Sequence, residues 1–223
     1  MDSGAAPLAR LVRNDGGMMD ADAKTGRGRL KGGARRLILD HAARLLRSNG
    51  YHQTSLREIA EAVGIRKASL YHHFASKEEI VEAVVNDGVR FVHEAVAAAL
   101  AAAGEADPRR RLAAAIAAHL SALHGHSDYT CASIKVFSFG ENPTPESVRR
   151  IRRDYEDVWR LLIEELAGTG ALAVGAAPER LRLFLLGAMN GSVDWYREGR
   201  FDIAQLADEL AALVAPVKAG EAS

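Results

Sequence analysis

The sequence predicts an all-α chain of about nine helices, three in an N-terminal helix-turn-helix module and six beyond it. Three observations carry that expectation. Apolar residues recur at the i, i+3, i+4, i+7 spacing of one buried helical face, as in Leu56, Ile59, Ala60 and Val63. Helix signals punctuate these segments: Ser55-x-x-Glu58 is a capping box, Pro108 and Pro178 sit where helices open, and Gly50, Gly64 and Gly104 sit where they end. No stretch alternates apolar and polar residues for the length of a strand.

Bulk properties narrow the class further. The 223 residues suffice for one large domain or two small ones. No apolar run reaches the roughly 18 residues of a membrane span, and the N-terminus lacks the apolar stretch of a signal peptide. A single cysteine, Cys131, precludes an intramolecular disulfide and fits a reducing cytoplasm. The net charge is zero, yet residues 24–85 hold twelve Lys/Arg against six Asp/Glu. A basic module on an acidic body is the electrostatic footprint of a DNA reader engaging through one end.

In chain order, residues 1–23 are Gly-, Ala- and Asp-rich without periodicity and are expected to be disordered, with Met18 or Met19 as alternative starts. Residues 24–36 read as a flexible basic arm, either a minor-groove finger or a solvated tail. A first helix is expected over 34–49 with Leu37, Ile38, His41, Ala42, Leu45 and Leu46 inward. The helix-turn-helix follows, and Ser76 caps a long helix ending at Gly104. Pro108 opens a helix with Leu112, Ile116, His119, Leu120 and Leu123 on one face. A shorter helix over about 129–139 stops at the Gly140–Pro145 stretch. Pro145 then begins a helix through Tyr155, Trp159 and Leu166. The last two helices run from Pro178 to about Arg197 and from Asp202 to Val214, the latter on Ile203, Leu206, Leu210 and Leu213. The expected domains are an arm over 1–33, a DNA-binding module over 34–80, a ligand-binding and dimerisation domain over 81–217, and a tail over 218–223.

The stretch TSLREIAEAVGIRKASLYHHFASKEEI, residues 54–80, is the most telling. Gly64 lies where the chain must reverse, and residues 66–73 form a second helix. Its apolar edge is Leu70 and Phe74, and its outer face carries cations, a hydroxyl, a phenol and imidazoles. In order, spacing and chemistry this run resembles the DNA-binding signature of TetR-family transcriptional regulators over roughly residues 34–85. Beyond that, the chain resembles the family only in helical layout.

The resemblance implies that Tyr71 and Lys77 grip the DNA backbone. Lys77 also lies in the first turn of its helix, where free N–H groups favour anions. Thr54 and Ser55 offer a hydroxyl or N–H to phosphate alongside simple N-capping. Lys67, Ser69 and His72 project toward the groove floor, Lys67 as a donor to guanine and Ala68 small enough to meet a thymine methyl. Arg66 stands where relatives often have a small N-cap residue, so it cannot cap and instead adds a phosphate contact. His73 fits either the face or the core.

Two recognition helices on successive major grooves require a homodimer on a palindromic operator. The resemblance places the interface on the last two helices, where Gly187 and Gly191 either admit a close helix crossing or relieve crowding in the core. The middle helices are expected to enclose a small-molecule effector, with Phe91, His119, Leu123, Ile134, Phe137, Tyr155, Trp159, Met189 and Trp195 as either pocket wall or plain core. Asn190, Ser192 and Asp194 interrupt an apolar helix and are exposed, paired across the dimer, or pocket anchors. The stretches SDYTCASIKVFSF and MNGSVDWYREGRF resemble family members that sense acyl-CoA thioesters or related lipids. Gly88, inside the long connecting helix, is a candidate bend point.

No Ser/His/Asp set, phosphate-cradling loop or paired-carboxylate motif stands out, so no catalytic residue, cofactor or enzymatic role is assigned. His119, His124, His126 and Asp128 match no recurring metal spacing; exposed loop histidines are the default reading and a metal site the alternative. The competing reading is a helical metal- or ligand-binding interaction module with residual non-specific DNA binding. The expectation is a ligand-responsive DNA-binding regulator of the repressor type.

Overall fold

A computed structural model describes residues 26–125, 128–138, 146–173 and 175–216, with side chains from residue 33 onward except 137 and 138. The described residues form nine helices and no strand. They are α1 (Gly26–Gln53), α2 (Leu56–Val63), α3 (Lys67–Leu70), α4 (Lys77–Ala103), α5 (Pro108–His124), α6 (Asp128–Ser138), α7 (Glu146–Gly168), α8 (Pro178–Trp195) and α9 (Ile203–Val214). Among these residues, no helix is long and apolar enough to cross a membrane. The expectations for residues 1–23 and the 218–223 tail lie outside the described residues.

Two compact units emerge. The N-terminal unit comprises the described residues up to Arg90 together with 128–138 and 146–151; the C-terminal unit comprises 91–125 and the described residues from Arg152 onward. By compactness the division therefore falls ten residues beyond the boundary expected at 80, and α6 returns to the N-terminal unit.

In the N-terminal unit, α1 begins at Gly26 rather than near Ala34. The basic stretch from Gly26 onward is helical, because it contains glycines but no proline. Each glycine costs a helix only about 1 kcal/mol. The buried stripe of α1 is Ile38, Leu39, Ala42, Ala43 and Leu46, whereas Leu37, expected inward, is 44% exposed. Gly50 leaves the helical region at φ 75°, and Thr54 closes the break by donating its hydroxyl to Gly50 O at 2.8 Å.

Helix α6 docks on α1. Tyr129 Oη donates to Asp40 Oδ1 at 2.7 Å, and Arg47 Nη1 donates to Asp128 Oδ1 at 2.8 Å. Burial and the neighbouring carboxylate push the Tyr129 phenol well above its ordinary range. Against the same turn lies Gly88, which is buried. A Cβ at this position would stand 2.4 Å from Tyr129 O and 2.8 Å from Tyr129 C. Close backbone approach, rather than bending, accounts for this glycine.

In the C-terminal unit, α5 packs on α8 and α9. Asp107 caps α5, accepting from Arg109 N, and the face Leu112, Ile116, His119, Leu120, Leu123 is buried as its spacing predicts. Arg111, also buried, donates to Gly104 O at the end of α4 and pairs with Glu165 at 3.7 Å. Helix α7 contributes Val158, Trp159, Leu162 and Ile163, none more than 1% exposed. On α9 the buried residues are Ala207, Ala211 and Val214. Leu213 is 73% exposed, because its position falls on the opposite side of the helix.

Candidate DNA-reading face and effector core

The reading face is built from short-range order. Ser55, at an extended φ of −117°, caps α2; its Oγ accepts from Glu58 N, while Glu58 Oε2 accepts from Ser55 N at 2.8 Å. This pairing holds the Glu58 carboxyl below its usual range. Gly64 ends α2 in the left-handed region at φ 77°, and Ile65 N donates back to Ala60 O at 2.9 Å. The chain thereby reverses within three residues. Arg66 opens α3 with extended backbone and no side-chain cap, as its chemistry requires.

Helix α3 is only four residues long, and the chain continues as turns in which His73 N and Phe74 N donate to Leu70 O. Leu70 and Phe74 are 0% and 1% exposed and pin the segment, with the Arg35 guanidinium 4.6 Å above the Phe74 ring. Everything else turns outward. Arg66, Lys67, Ala68, Tyr71 and His72 are exposed, and Ser69 and His73 are half-buried. The result is a compact platform of cations, a phenol and an imidazole without a core role, suited to phosphates and base edges.

Two other residues expected on this face are committed internally. Thr54 is 1% exposed and spends its hydroxyl on Gly50, so its side chain is withdrawn from the surface. Lys77 Nζ donates to Tyr51 O at 2.5 Å and lies 3.9 Å from the centroid of the Tyr51 ring. Burial pushes this ammonium down from its ordinary value. Tyr51 Oη in turn donates to Glu78 Oε1 at 3.0 Å, so one clamp joins the end of α1 to the start of α4. Sequence reasoning missed Tyr51; its only signal was an aromatic residue just past the helix-ending glycine.

In the C-terminal unit, His119, Tyr155 and Trp159 come together as expected, each at most 7% exposed. His119 Nδ1 lies 2.5 Å from Tyr155 Oη, with the two rings stacked at 6.0 Å. Trp159 meets both edge-on, at 5.8 Å and 6.2 Å. His93, on α4, joins the group with its ring 5.6 Å from Tyr155. The sequence signal for His93 was an imidazole beside the apolar stripe of Val92 and Val96. Desolvation lowers His119 to about 4, outweighing the opposite influence of the nearby Asn190 side chain, and also lowers His93. The His119 imidazole is therefore neutral at physiological pH. His93 Nε2, His119 Nε2 and Trp159 Nε1 are buried without a hydrogen-bond partner.

Of the other expected effector contacts, Leu123 and Met189 are buried in this unit. Ile134 is half-buried on α6 in the N-terminal unit, and the Phe137 side chain lies outside the described residues. Phe91 and Trp195 are each 48% exposed, which removes them from the core of the C-terminal unit. Among the residues interrupting α8, Ser192 is buried and bonded to His124 Nε2 at 2.7 Å, while Asp194 is exposed. His124 also stacks on Tyr196 at 4.1 Å, and Asp128 is held by Arg44 and Arg47. These side chains thus have partners other than a metal; His126 lies outside the described residues.

The outer side of α8 is apolar and bare. Phe184 is 69% exposed, Trp195 48% and Leu183 54%. Gly187 and Gly191 sit on the same helix, exposed, with nothing within 4 Å of a Cβ built on either. Within the chain they relieve no crowding. A contiguous apolar face with small residues at its centre is the form of an isologous subunit contact.

Comparison with known proteins agrees with this geometry. Residues 38–84 match the family model for bacterial regulatory proteins of the tetR family, and residues 105–216 match the tetracyclin repressor-like C-terminal domain. The transcriptional repressor KstR2 of Rhodococcus jostii (strain RHA1) is 29% identical over 174 residues, covering 76% of this chain and 82% of the relative. The structure of AibR with isovaleryl coenzyme A and operator DNA superposes with a TM-score of 0.71 at 27% identity, covering 82% of this chain and 98% of AibR. The superantigen PfiT superposes at 0.65 with 30% identity, covering 82% of this chain and 96% of PfiT. Both halves of the described chain are thus accounted for, and the protein belongs to the TetR family of bacterial transcriptional regulators.

Proposed function

We propose that the protein is a cytoplasmic, homodimeric repressor that binds a palindromic operator and leaves it when a small amphipathic effector of the acyl-CoA thioester class binds the C-terminal unit. The observation that carries the reading is the outward platform of Arg66, Lys67, Ala68, Ser69, Tyr71 and His72, held in place by buried Leu70 and Phe74. Backbone contacts supply affinity and base contacts supply sequence. Tyr71, with Lys67 Nζ 6.0 Å from its ring, serves the first role, and Lys67, Ser69 and His72 the second. Ser55, Arg66 and Lys77 add phosphate contacts through the groups left free of their internal bonds. AibR, similar over most of its length, supports the effector class, since its structure holds both isovaleryl coenzyme A and operator DNA. KstR2 is a transcriptional repressor, and no enzymatic role is assigned to this chain.

The test is selection of randomised duplex DNA by the purified protein, followed by binding isotherms on the enriched sequence. An inverted repeat is expected. Tyr71→Ala should weaken binding evenly across sequences, whereas Lys67→Ala should relax preference at one base pair per half-site. Isovaleryl-CoA should release the operator at micromolar concentration. A pool bound only at low salt, with no enriched repeat, would overturn sequence-specific reading and favour a helical interaction module.

A further inference from the structure

A lysine on its own is a costly phosphate grip. Its four-carbon stem is flexible, and fixing it on an anion sacrifices rotamer freedom. At Lys77 the stem is already fixed. Its Nζ donates to Tyr51 O at 2.5 Å and lies 3.9 Å from the centroid of the Tyr51 ring, so two features of one residue hold the ammonium. Lys77 is half-buried rather than enclosed, and an ammonium has three N–H donors. The Tyr51 carbonyl takes one, and donor capacity is left over for an anion arriving from solvent.

Two carboxylates compete for that anion's place. Glu78 and Glu58 are the charges that act on Lys77. Both, however, are bonded to other groups. Tyr51 Oη donates to Glu78 Oε1 at 3.0 Å, and Ser55 N and Oγ each donate to Glu58 Oε2 at 2.8 Å. Glu78 also follows Lys77 directly in the helix, and adjacent helical side chains do not face each other. From one position Tyr51 thus bonds the ammonium through its carbonyl, faces it with its ring, and occupies the neighbouring carboxylate with its hydroxyl.

We infer that Tyr51 is a positioning residue for operator binding, holding the Lys77 ammonium in the setting from which it meets a DNA phosphate. The lysine then binds without first having to be ordered. The inference rests on the reading of Lys77 as a phosphate contact and adds the residue that makes the contact effective. Tyr51 needs no DNA contact of its own. Its signature is therefore dependence: what Lys77 contributes to affinity requires Tyr51, and the two effects do not add.

A double-mutant cycle on DNA affinity reads that dependence. The parent, Tyr51→Leu, Lys77→Ala and the double variant are titrated at a temperature where circular dichroism shows all four folded. The probe is the duplex enriched by selection, or a random-sequence duplex at low salt if none is enriched. Lys77→Ala should weaken binding about tenfold in the parent but less than about threefold in the Tyr51→Leu background. Tyr51→Phe keeps the ring and the carbonyl, and should restore most of the Lys77 effect. Independent losses would mean that Tyr51 acts on stability alone; they overturn the proposal and leave the phosphate contact intact. Unchanged affinity in Lys77→Ala removes the phosphate contact, and the role of Tyr51 with it. Should Tyr51→Leu fail to fold, a ¹³C–¹H spectrum of the unmodified protein decides. A ring this close shields the lysine tip, so the ε-methylene signal lost in Lys77→Ala should lie upfield of the other lysines. An upfield signal supports the fixed ammonium; one among the other lysines overturns it.

Discussion

Replacing Gly88 with alanine separates two roles that a glycine inside a long helix can play. As a hinge, Gly88 would lose flexibility on substitution, and the helix would gain about 1 kcal/mol from alanine's higher propensity. The structure gives it a different role. The new Cβ would stand 2.4 Å from Tyr129 O and 2.8 Å from Tyr129 C, and both atoms belong to the backbone of α6. Neither can rotate away. Relief requires moving α4 from α6 by about 1 Å, roughly a methyl group's worth of overpacking, for which about 3 kcal/mol is the upper end of the usual cost. Subtracting the helix gain leaves a net loss of about 2 kcal/mol. Gly33 provides the internal control: it is helical and exposed, and a Cβ there meets nothing within 4 Å. Urea denaturation followed by circular dichroism should place Gly88→Ala below the parent protein and Gly33→Ala at or above it. A Gly88→Ala variant as stable as Gly33→Ala would refute the close-approach argument and restore the hinge.

Other consequences follow from single interactions. His119 is neutral and buried with a value of about 4 against an ordinary 6.5, so the unfolded chain takes up its proton first as pH falls. Stability from this group is complete above pH 6.5 and declines toward pH 4 by about 3 kcal/mol. His119→Phe should flatten the fall of the urea midpoint between pH 7 and 4.5 relative to the parent; parallel curves would disprove the assignment. Thr54→Val removes the hydroxyl bonded to Gly50 O and should cost about 1 kcal/mol with operator affinity intact at low temperature. Loss of operator affinity without loss of stability would return Thr54 to the interface. Phe184→Glu places a charge on the bare face of α8 and should shift sedimentation from dimer to monomer, while an unchanged dimer would locate the subunit contact elsewhere.

Local signals were legible wherever the chain itself imposes them. Pro108 started α5, and all five residues its spacing placed inward are buried. The capping box at Ser55 and Glu58, the left-handed Gly64 and the buried pair Leu70 and Phe74 were likewise readable, because each depends on neighbours within a turn or two. What the sequence concealed depends on distant partners. Leu37 and Leu39 are chemically alike, and only the docking of α2 and α6 on α1 decides that Leu39 is buried and Leu37 is not. Trp195 and Phe91 carry the same apolar signal as Trp159, yet they lie on the surface of the chain. Lys77 read as a free cation until the Tyr51 carbonyl and ring came within its reach. The start of α1 was misjudged because glycine was given the weight of a breaker, a role that proline fills far more strongly.

The two units are joined through the chain itself. The chain passes between the units between Arg90 and Phe91, between His126 and Ser127, and between Ile151 and Arg152. The first and third passages fall inside continuous helices, α4 and α7. The second delivers α6, whose Tyr129 and Asp128 are bonded to Asp40 and Arg47 on α1. His93 stands on α4 three residues beyond Arg90, and Tyr155 on α7 four residues beyond Ile151. The ring cluster therefore sits on the same two helices that run on into the N-terminal unit.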